Sequence, residues 1–267
     1  MIARAPRAPV DVPPAVARLA GGGPVRCVWV NEVGGRTFEL GGPRGARRFV
    51  KWAPAGRGPD LGEEALRLRW ARPYTPVPEV LGGGADHDGT WMVLGALAGE
   101  SAVSDRWRSA PERAVRAVGE GLRALHEALP VAGCPFSWSA EDRAADARRR
   151  GESGALDPGR WHAEHRALSV GAALERAARP PSVDRLVVCH GDACAPNTLV
   201  TEDGRWSAHV DLGRLGVGDR WADLAVATWS TVWNYGPGFE APLLEAYGVD
   251  PDGERTAYYR LLWDLGS

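Results

Sequence analysis

VVCHGDACAPNTLVTEDGRWSAHVDLG, residues Val187 to Gly213, decides how the rest of this 267-residue chain is read. Short apolar runs bracket a histidine, two aspartates and an asparagine that no hydrophobic core requires. Leu199–Thr201 and Trp206–Val210 read as two short strands around Asp203-Gly204, a strong hairpin signal. Folding about Gly204 brings Asn197 and Asp211 together at the open end. Fourteen residues of sequence then become a short distance in space.

A carboxylate and an amide oxygen meeting in this way form a hard-oxygen site, suited to magnesium rather than zinc. Asp192 lies five residues before Asn197, on a loop after the buried strand LVVCH. That is the D-x-x-x-x-N spacing of a kinase catalytic loop, in which the aspartate receives the substrate hydroxyl proton and the asparagine binds metal. Asp211-Leu212-Gly213 then stands where such a loop is followed by D-F-G. Each triplet alone is weak, but their order and spacing together are specific.

The front of the chain supplies a cation. Among 32 basic residues only Lys51 is lysine, and it sits inside the strand-like run RRFVKWA. In a chain otherwise committed to arginine, a retained lysine suggests a task for a compact ammonium on a flexible stem. It can bridge the α- and β-phosphates of ATP, held by a glutamate on the next helix. Glu64 is the first candidate, with Glu63 one position away. The motif G-x-x-x-x-G-K-[ST] is absent, which excludes a P-loop ATPase by its main signature. The turn at Gly34-Gly35 is expected to cover phosphates through backbone N–H groups, although the pattern G-x-G-x-x-G is missing.

Periodicity divides the chain in two. From Val25 to Gly95 it is strand-like, with VRCVWVNEV and RTFEL as a hairpin, PEVLGGG and TWMVLGA as later strands, and DLGEEALRLRWA as one amphipathic helix. After Gly95 helices dominate, led by ERAVRAVGEGLRALHEAL with Val115, Val118, Leu122, Leu125 and Leu129 on one face. Helices are also expected over 219–233, 241–247 and 254–265. The expectation is an α+β chain with a leader over 1–24 that is poorly ordered, a β-rich nucleotide-binding lobe over 25–95, and a larger α-helical catalytic and substrate-binding lobe over 96–267.

Charge and cysteine usage exclude several classes. A pI near 6.3 and the lack of a basic patch interleaved with aromatics argue against nucleic acid. No apolar run reaches membrane-spanning length, and MIARAPRAPVDVPPAVARLA lacks the apolar centre of a signal peptide, so the cytoplasm is the expected compartment. Cys189, His190, Asp192 and Cys194 lack the second ligand pair of a structural zinc site. Residues 1–60 hold ten Lys/Arg against four Asp/Glu, and residues 219–267 hold eight acids against three bases. This polarity suits a protein that handles an anion at one end and a cation at the other.

HGDACAPNTLV, HVDLGRLGVGDRWADLA and RALHEALP resemble the aminoglycoside phosphotransferases, particularly those acting at a 3′ or 3″ hydroxyl. The similarity runs from about Val25 to Leu265, with WMVLGALAGES at the position of the hinge. It implies a two-lobe protein-kinase-like fold, ATP with Mg2+, and phosphorylation of an aminoglycoside antibiotic by a monomer or weak dimer. On the resemblance, Asp192, Lys51 and Arg214 serve catalysis, and Leu94 and Ala96 meet adenine through their backbones. His190 and Asp223 support the catalytic loop, Asp223 by holding the backbone of 190–192. Glu152, Asp157, Glu164 and Asp264 are the candidate partners for drug ammonium groups. Where the family places a more charged helix, this sequence has ATWSTVWNYGPGF, whose Trp229 and Trp233 could line a sugar site.

Other readings have discriminating features. A protein kinase carries a long activation segment ending in A-P-E, whereas only GRLGVG separates Leu212 from Asp219. A kinase for a macrolide, choline or a sugar would keep the same core with another acceptor face. A non-catalytic nucleotide-binding module would be expected to lack one of Lys51, Asp192, Asn197 or Asp211, and all four are present.

Overall fold

The computed structural model describes residues 6, 9–31, 33–41, 47–56 and 58–266. Internal contacts separate Met1–Leu97 from Ala98–Ser267. The first unit is built on a five-stranded antiparallel sheet in the order β1-β2-β3-β5-β4, with β1 at Val25–Val30, β2 at Arg36–Leu40, β3 at Arg48–Pro54, β4 at Val80–Ala85 and β5 at Gly89–Gly95. The register pairs Thr37 with Lys51 and Lys51 with Met92, so the lysine lies on an inner strand. Helix α2, Leu61–Ala71, starts where the Asp60 carboxylate accepts the N–H groups of Gly62 and Glu63 at 2.9 and 3.0 Å.

The leader is not uniformly unstructured. Pro14–Ala20 forms helix α1, opened by a proline in its first turn and closed by Gly21 in the left-handed conformation. Val16 of this helix is fully buried with Phe38, Leu40, Val50, Trp52 and Val93. The proline-rich composition hid one short helix with an apolar face. Residues 1–5, 7 and 8 of the same leader lie outside the described residues.

The second unit opens with β6 (Glu100–Ser101), α3 (Asp105–Arg108), α4 (Pro111–Ala128) and α5 (Ala140–Glu152). All five apolar positions assigned to the inner face of the long helical run are buried. After α6 (Val170–Ala177) come β7 (Leu186–Cys189), β8 (Thr198–Val200), β9 (Trp206–His209) and β10 (Gly216–Asp219). Helices α7 (Trp221–Tyr235), α8 (Glu240–Tyr247) and α9 (Gly253–Leu265) complete it. Strands β6, β8 and β9 form one sheet, while β7 pairs antiparallel with β10.

Strand β10 was not legible, and a helix was expected to begin at Asp219. The run GVGD gives no period-2 signal because two of its positions are glycine by steric need. A Cβ on Gly216 would lie 2.5 Å from the Ser137 carbonyl carbon, and one on Gly218 would lie 2.7 Å from the Trp138 carbonyl oxygen. The segment at Ser137 runs beside β10, with the Val217 N–H donating to Phe136 O and the Trp138 N–H donating to Val217 O, both at 2.8 Å. Asp219 ends the strand, and its carboxylate accepts the Trp221 N–H at 2.9 Å, which starts α7 two residues later than expected.

Gly216→Ala should therefore destabilise the protein by about 1–3 kcal/mol, the range for overpacking a filled site. Urea unfolding followed by circular dichroism would measure it, and an unchanged midpoint would show that the 136–138 segment yields without cost.

Candidate active site

In the first unit, Lys51 Nζ donates to Glu64 Oε1 at 2.6 Å, and Glu64 is 2% exposed on the inner face of α2. Glu63 points elsewhere and takes Arg67 at 2.6 Å, one turn along the same helix. Of the two glutamates considered from sequence, Glu64 is therefore the one paired with Lys51. Leu94 is buried on β5 between β3 and β4, and Ala96 follows the end of that strand.

The glycine turn differs from its expected role. The Gly34 N–H donates to Asn31 O at 3.3 Å, and the Gly35 N–H donates to Asn31 Oδ1 at 2.6 Å. Both groups close the hairpin on Asn31, so this conformation leaves neither of them to face a phosphate. Gly34 adopts φ of 86°, which is what the turn demands of glycine.

In the second unit the stretch from Cys189 to Gly213 is fixed from several sides. Asp223, on the first turn of α7 and 0% exposed, accepts the His190 N–H at 2.5 Å and the Gly191 N–H at 2.9 Å. His126 of α4 reaches the same carboxylate through Nε2 at 3.0 Å and meets the Tyr247 hydroxyl through Nδ1 at 2.8 Å. Burial alone would raise the Asp223 carboxyl. The hydrogen bond and charge of His126, with the loop N–H groups, outweigh it and hold the carboxyl below its ordinary range.

His190 donates from Nε2 to Val210 O at 3.0 Å and accepts the Asp192 N–H on Nδ1 at 3.2 Å, which sets its tautomer. It links the loop to the end of the β8–β9 hairpin. Gly191 has φ of 82°, and a Cβ there would stand 2.1 Å from Arg214 O, so the loop and the Asp211–Arg214 segment touch through a missing side chain.

The hairpin closes as its turn signal indicates. The Val210 N–H donates to Asn197 O at 3.0 Å, which sets Asn197 beside the residue before Asp211. Asn197 Nδ2 donates to Asp192 O at 3.0 Å, which turns its amide oxygen away from that contact. Asp211 has φ of 67°, the single positive φ of a non-glycine residue among the described residues. Such a conformation is held by its surroundings and recurs at functional positions. Asp192 Oδ1 is buried and has no hydrogen-bond partner among the described residues.

Arg214 is exposed, with its guanidinium 5.8 Å from the Trp138 ring centre and 5.4 Å from that of Trp263. Arg143 lies over Trp138 at 4.5 Å, and burial together with the Arg214 charge brings it down to about 10. Sequence reading did not single out Trp138, Arg143 or Ser230. The Ser230 Oγ accepts the Ala195 N–H at 2.9 Å, and its only trace in the sequence is a small polar residue within an apolar helix.

The acids proposed to meet ammonium groups separate into two kinds. Glu152 and Asp157 are exposed, although Asp157 Oδ1 accepts the Gly159 N–H at 2.9 Å. Glu164 accepts Trp229 Nε1 at 3.1 Å and pairs with Arg260 at 3.3 Å. Asp264 is 2% exposed, with both carboxylate oxygens held by His162 and His165. A carboxylate so enclosed does not serve as a surface partner for a drug cation, and that expectation is corrected.

Because its folded-state pKa is depressed, Asp223 contributes stability above the ordinary carboxylate range, and that contribution is lost as pH falls through the folded value. Asp223→Asn should cost about 3 kcal/mol at neutral pH, since it leaves buried donors poorly matched. The gap to wild type should narrow on acidification. Denaturant titrations at neutral and acidic pH would test this, and a gap independent of pH would count against a charged Asp223.

Comparisons with known proteins identify the family and the fold. The profile of the phosphotransferase enzyme family matches residues 31–259. An aminoglycoside 3′-phosphotransferase from Streptomyces fradiae is 39% identical over 79% of this chain and 81% of its own length. A solved aminoglycoside-3′-phosphotransferase of type VIII superposes with a TM-score of 0.80 at 32% identity, covering 94% of this chain and 97% of that one. An aminoglycoside phosphotransferase from Streptomyces rimosus, solved in complex with ADP and streptomycin, gives a TM-score of 0.70 at 28% identity over 87% and 90% of the two chains. With a match spanning both units, this chain belongs to the phosphotransferase enzyme family and has the kinase-like fold of the aminoglycoside phosphotransferases.

Proposed function

We propose that the protein transfers the γ-phosphoryl group of ATP to a 3′ or 3″ hydroxyl of an aminoglycoside, an activity that confers resistance. The observation that carries the chemistry is the buried, unpartnered Oδ1 of Asp192, on a loop fixed by Asp223 and Asn197. A carboxylate oxygen without a partner is ready to accept a proton from an incoming hydroxyl. The relatives' names, Aminoglycoside 3′-phosphotransferase and Streptomycin 3″-kinase, support the acceptor class.

In the step proposed, the acceptor oxygen attacks the γ-phosphorus while the bond from that phosphorus to the β,γ-bridging oxygen breaks. ADP leaves, and the hydroxyl proton passes to Asp192. Lys51, held by Glu64, binds the α- and β-phosphates. Arg214, supported on Trp138 and Trp263, offers its charge to the transferring group. Ala96 and Leu94 are assigned to adenine through their backbones, while Gly34 and Gly35 are left out because their N–H groups are engaged.

An amide oxygen and a carboxylate at one end of a hairpin are the hard donors that magnesium selects, so Asn197 and Asp211 fit the metal. Magnesium, when bound there, neutralises phosphate charge. Asn197 also keeps Asp192 in place through its Nδ2.

Asp192→Ala should lower kcat by about a hundredfold or more while ATP affinity changes only a few-fold, because the carboxylate meets the acceptor and not the nucleotide. Asp211→Asn should weaken magnesium-dependent ATP binding more than Asn197→Ala, since it removes a full charge. Both are read from purified protein with ATP against an aminoglycoside panel. An Asp192→Ala enzyme within about tenfold of wild type would overturn the assignment.

A further inference from the structure

Asp264, like Asp223, holds three donors on one enclosed carboxylate. Its Oδ1 accepts from His162 Nδ1 at 2.6 Å, and its Oδ2 accepts from His165 Nδ1 at 2.6 Å and from the His162 backbone N–H at 3.1 Å. His162 is thus gripped by both ring and backbone. Its ring lies flat on Trp233, with centres 4.9 Å apart and planes 12° apart, and also meets Trp229 at 4.0 Å.

Trp229 is the fixed underlayer of this group. It is 4% exposed, its Nε1 is bonded to Glu164, and its ring lies 5.3 Å from that of Trp233. His162 and Trp233 form the outer, half-buried members. Arg260 is shared by the two neighbouring acids, Glu164 at 3.3 Å and Glu240 at 2.7 Å, so a single positive charge partly neutralises both. The half-buried rings of His162 and Trp233 lie beside this partly neutralised group.

Two contacts tie this surface to the loop that carries Asp192. Ser230, next to Trp229 on α7, accepts the Ala195 N–H. Trp263, next to Asp264 on α9, carries the guanidinium of Arg214, whose carbonyl faces Gly191. We propose that His162 and Trp233 are the platform against which one sugar ring of the acceptor packs, and that Asp264 is the positioning residue that fixes the platform. The inference rests on the phosphotransferase reading above and adds to it the means of holding the acceptor. Aromatic faces recognise the apolar face of a sugar ring, and a few placed polar groups then set its orientation.

The test uses the full chain with ATP, magnesium and an aminoglycoside panel that includes streptomycin, taking whichever member wild type phosphorylates. Trp233→Leu and His162→Ala should each raise the acceptor KM by about tenfold, while Trp233→Phe, which keeps a ring, should raise it by about threefold or less. Asp264→Asn should raise the acceptor KM with the ATP KM within about twofold, because it frees His162 without touching the nucleotide. His162→Ala removes a half-buried side chain, so it remains informative if Trp233→Leu fails to fold. Wild-type turnover with an unchanged acceptor KM in His162→Ala would overturn the platform alone. Parallel rises in the acceptor and ATP KM would also overturn it, since they mark a purely structural role. A wild-type enzyme that phosphorylates no member of the panel would overturn the acceptor reading and the platform with it.

Discussion

The carboxylate of Asp223 is the constraint on which the stretch from Cys189 to Gly213 depends. It is buried beyond reach of water and therefore needs donors on every side. His126 supplies one from α4, while His190 and Gly191 supply two from the loop itself. This arrangement converts a sharp loop after β7 into a fixed structure. Asp192 inherits its position from that loop, His190 transmits the position to Val210, and Arg214 is pressed against Gly191. Removing the acid would leave two backbone donors and an imidazole without their common acceptor, so the loop would lose its reference point.

A second constraint acts in the first unit. Lys51 is the chain's single lysine, on an inner strand, with its ammonium turned toward the enclosed Glu64. A compact ammonium fits that setting in a way a planar guanidinium does not. The abundance of arginine elsewhere, much of it on the surface or stacked on tryptophan, shows that positive charge alone is not what the position requires.

Much of this was legible in the sequence because periodicity and spacing are local. The hairpin about Gly204 and the D-x-x-x-x-N spacing each lie within a few residues, and so does the apolar face of α4. What was not legible depends on distant partners. β10 is glycine-rich because the 136–138 segment passes within contact of it. The role of Gly34-Gly35 depended on Asn31 turning its side chain inward to take their turn's N–H groups. Asp264 read as a surface acid because its partners, His162 and His165, lie about a hundred residues earlier. Helix α1 was hidden by prolines that open a helix as readily as they prevent one.

Cys194 sits two residues after Asp192 within the stretch that decides the fold. Burial and the nearby Asp192 carboxylate push its thiol well above the usual range. Thiolate is the species that attacks electrophiles and undergoes oxidation, and here it is disfavoured twice. The Asp192 carboxylate thus favours the protonated, less nucleophilic form of the sulfur beside it in this loop.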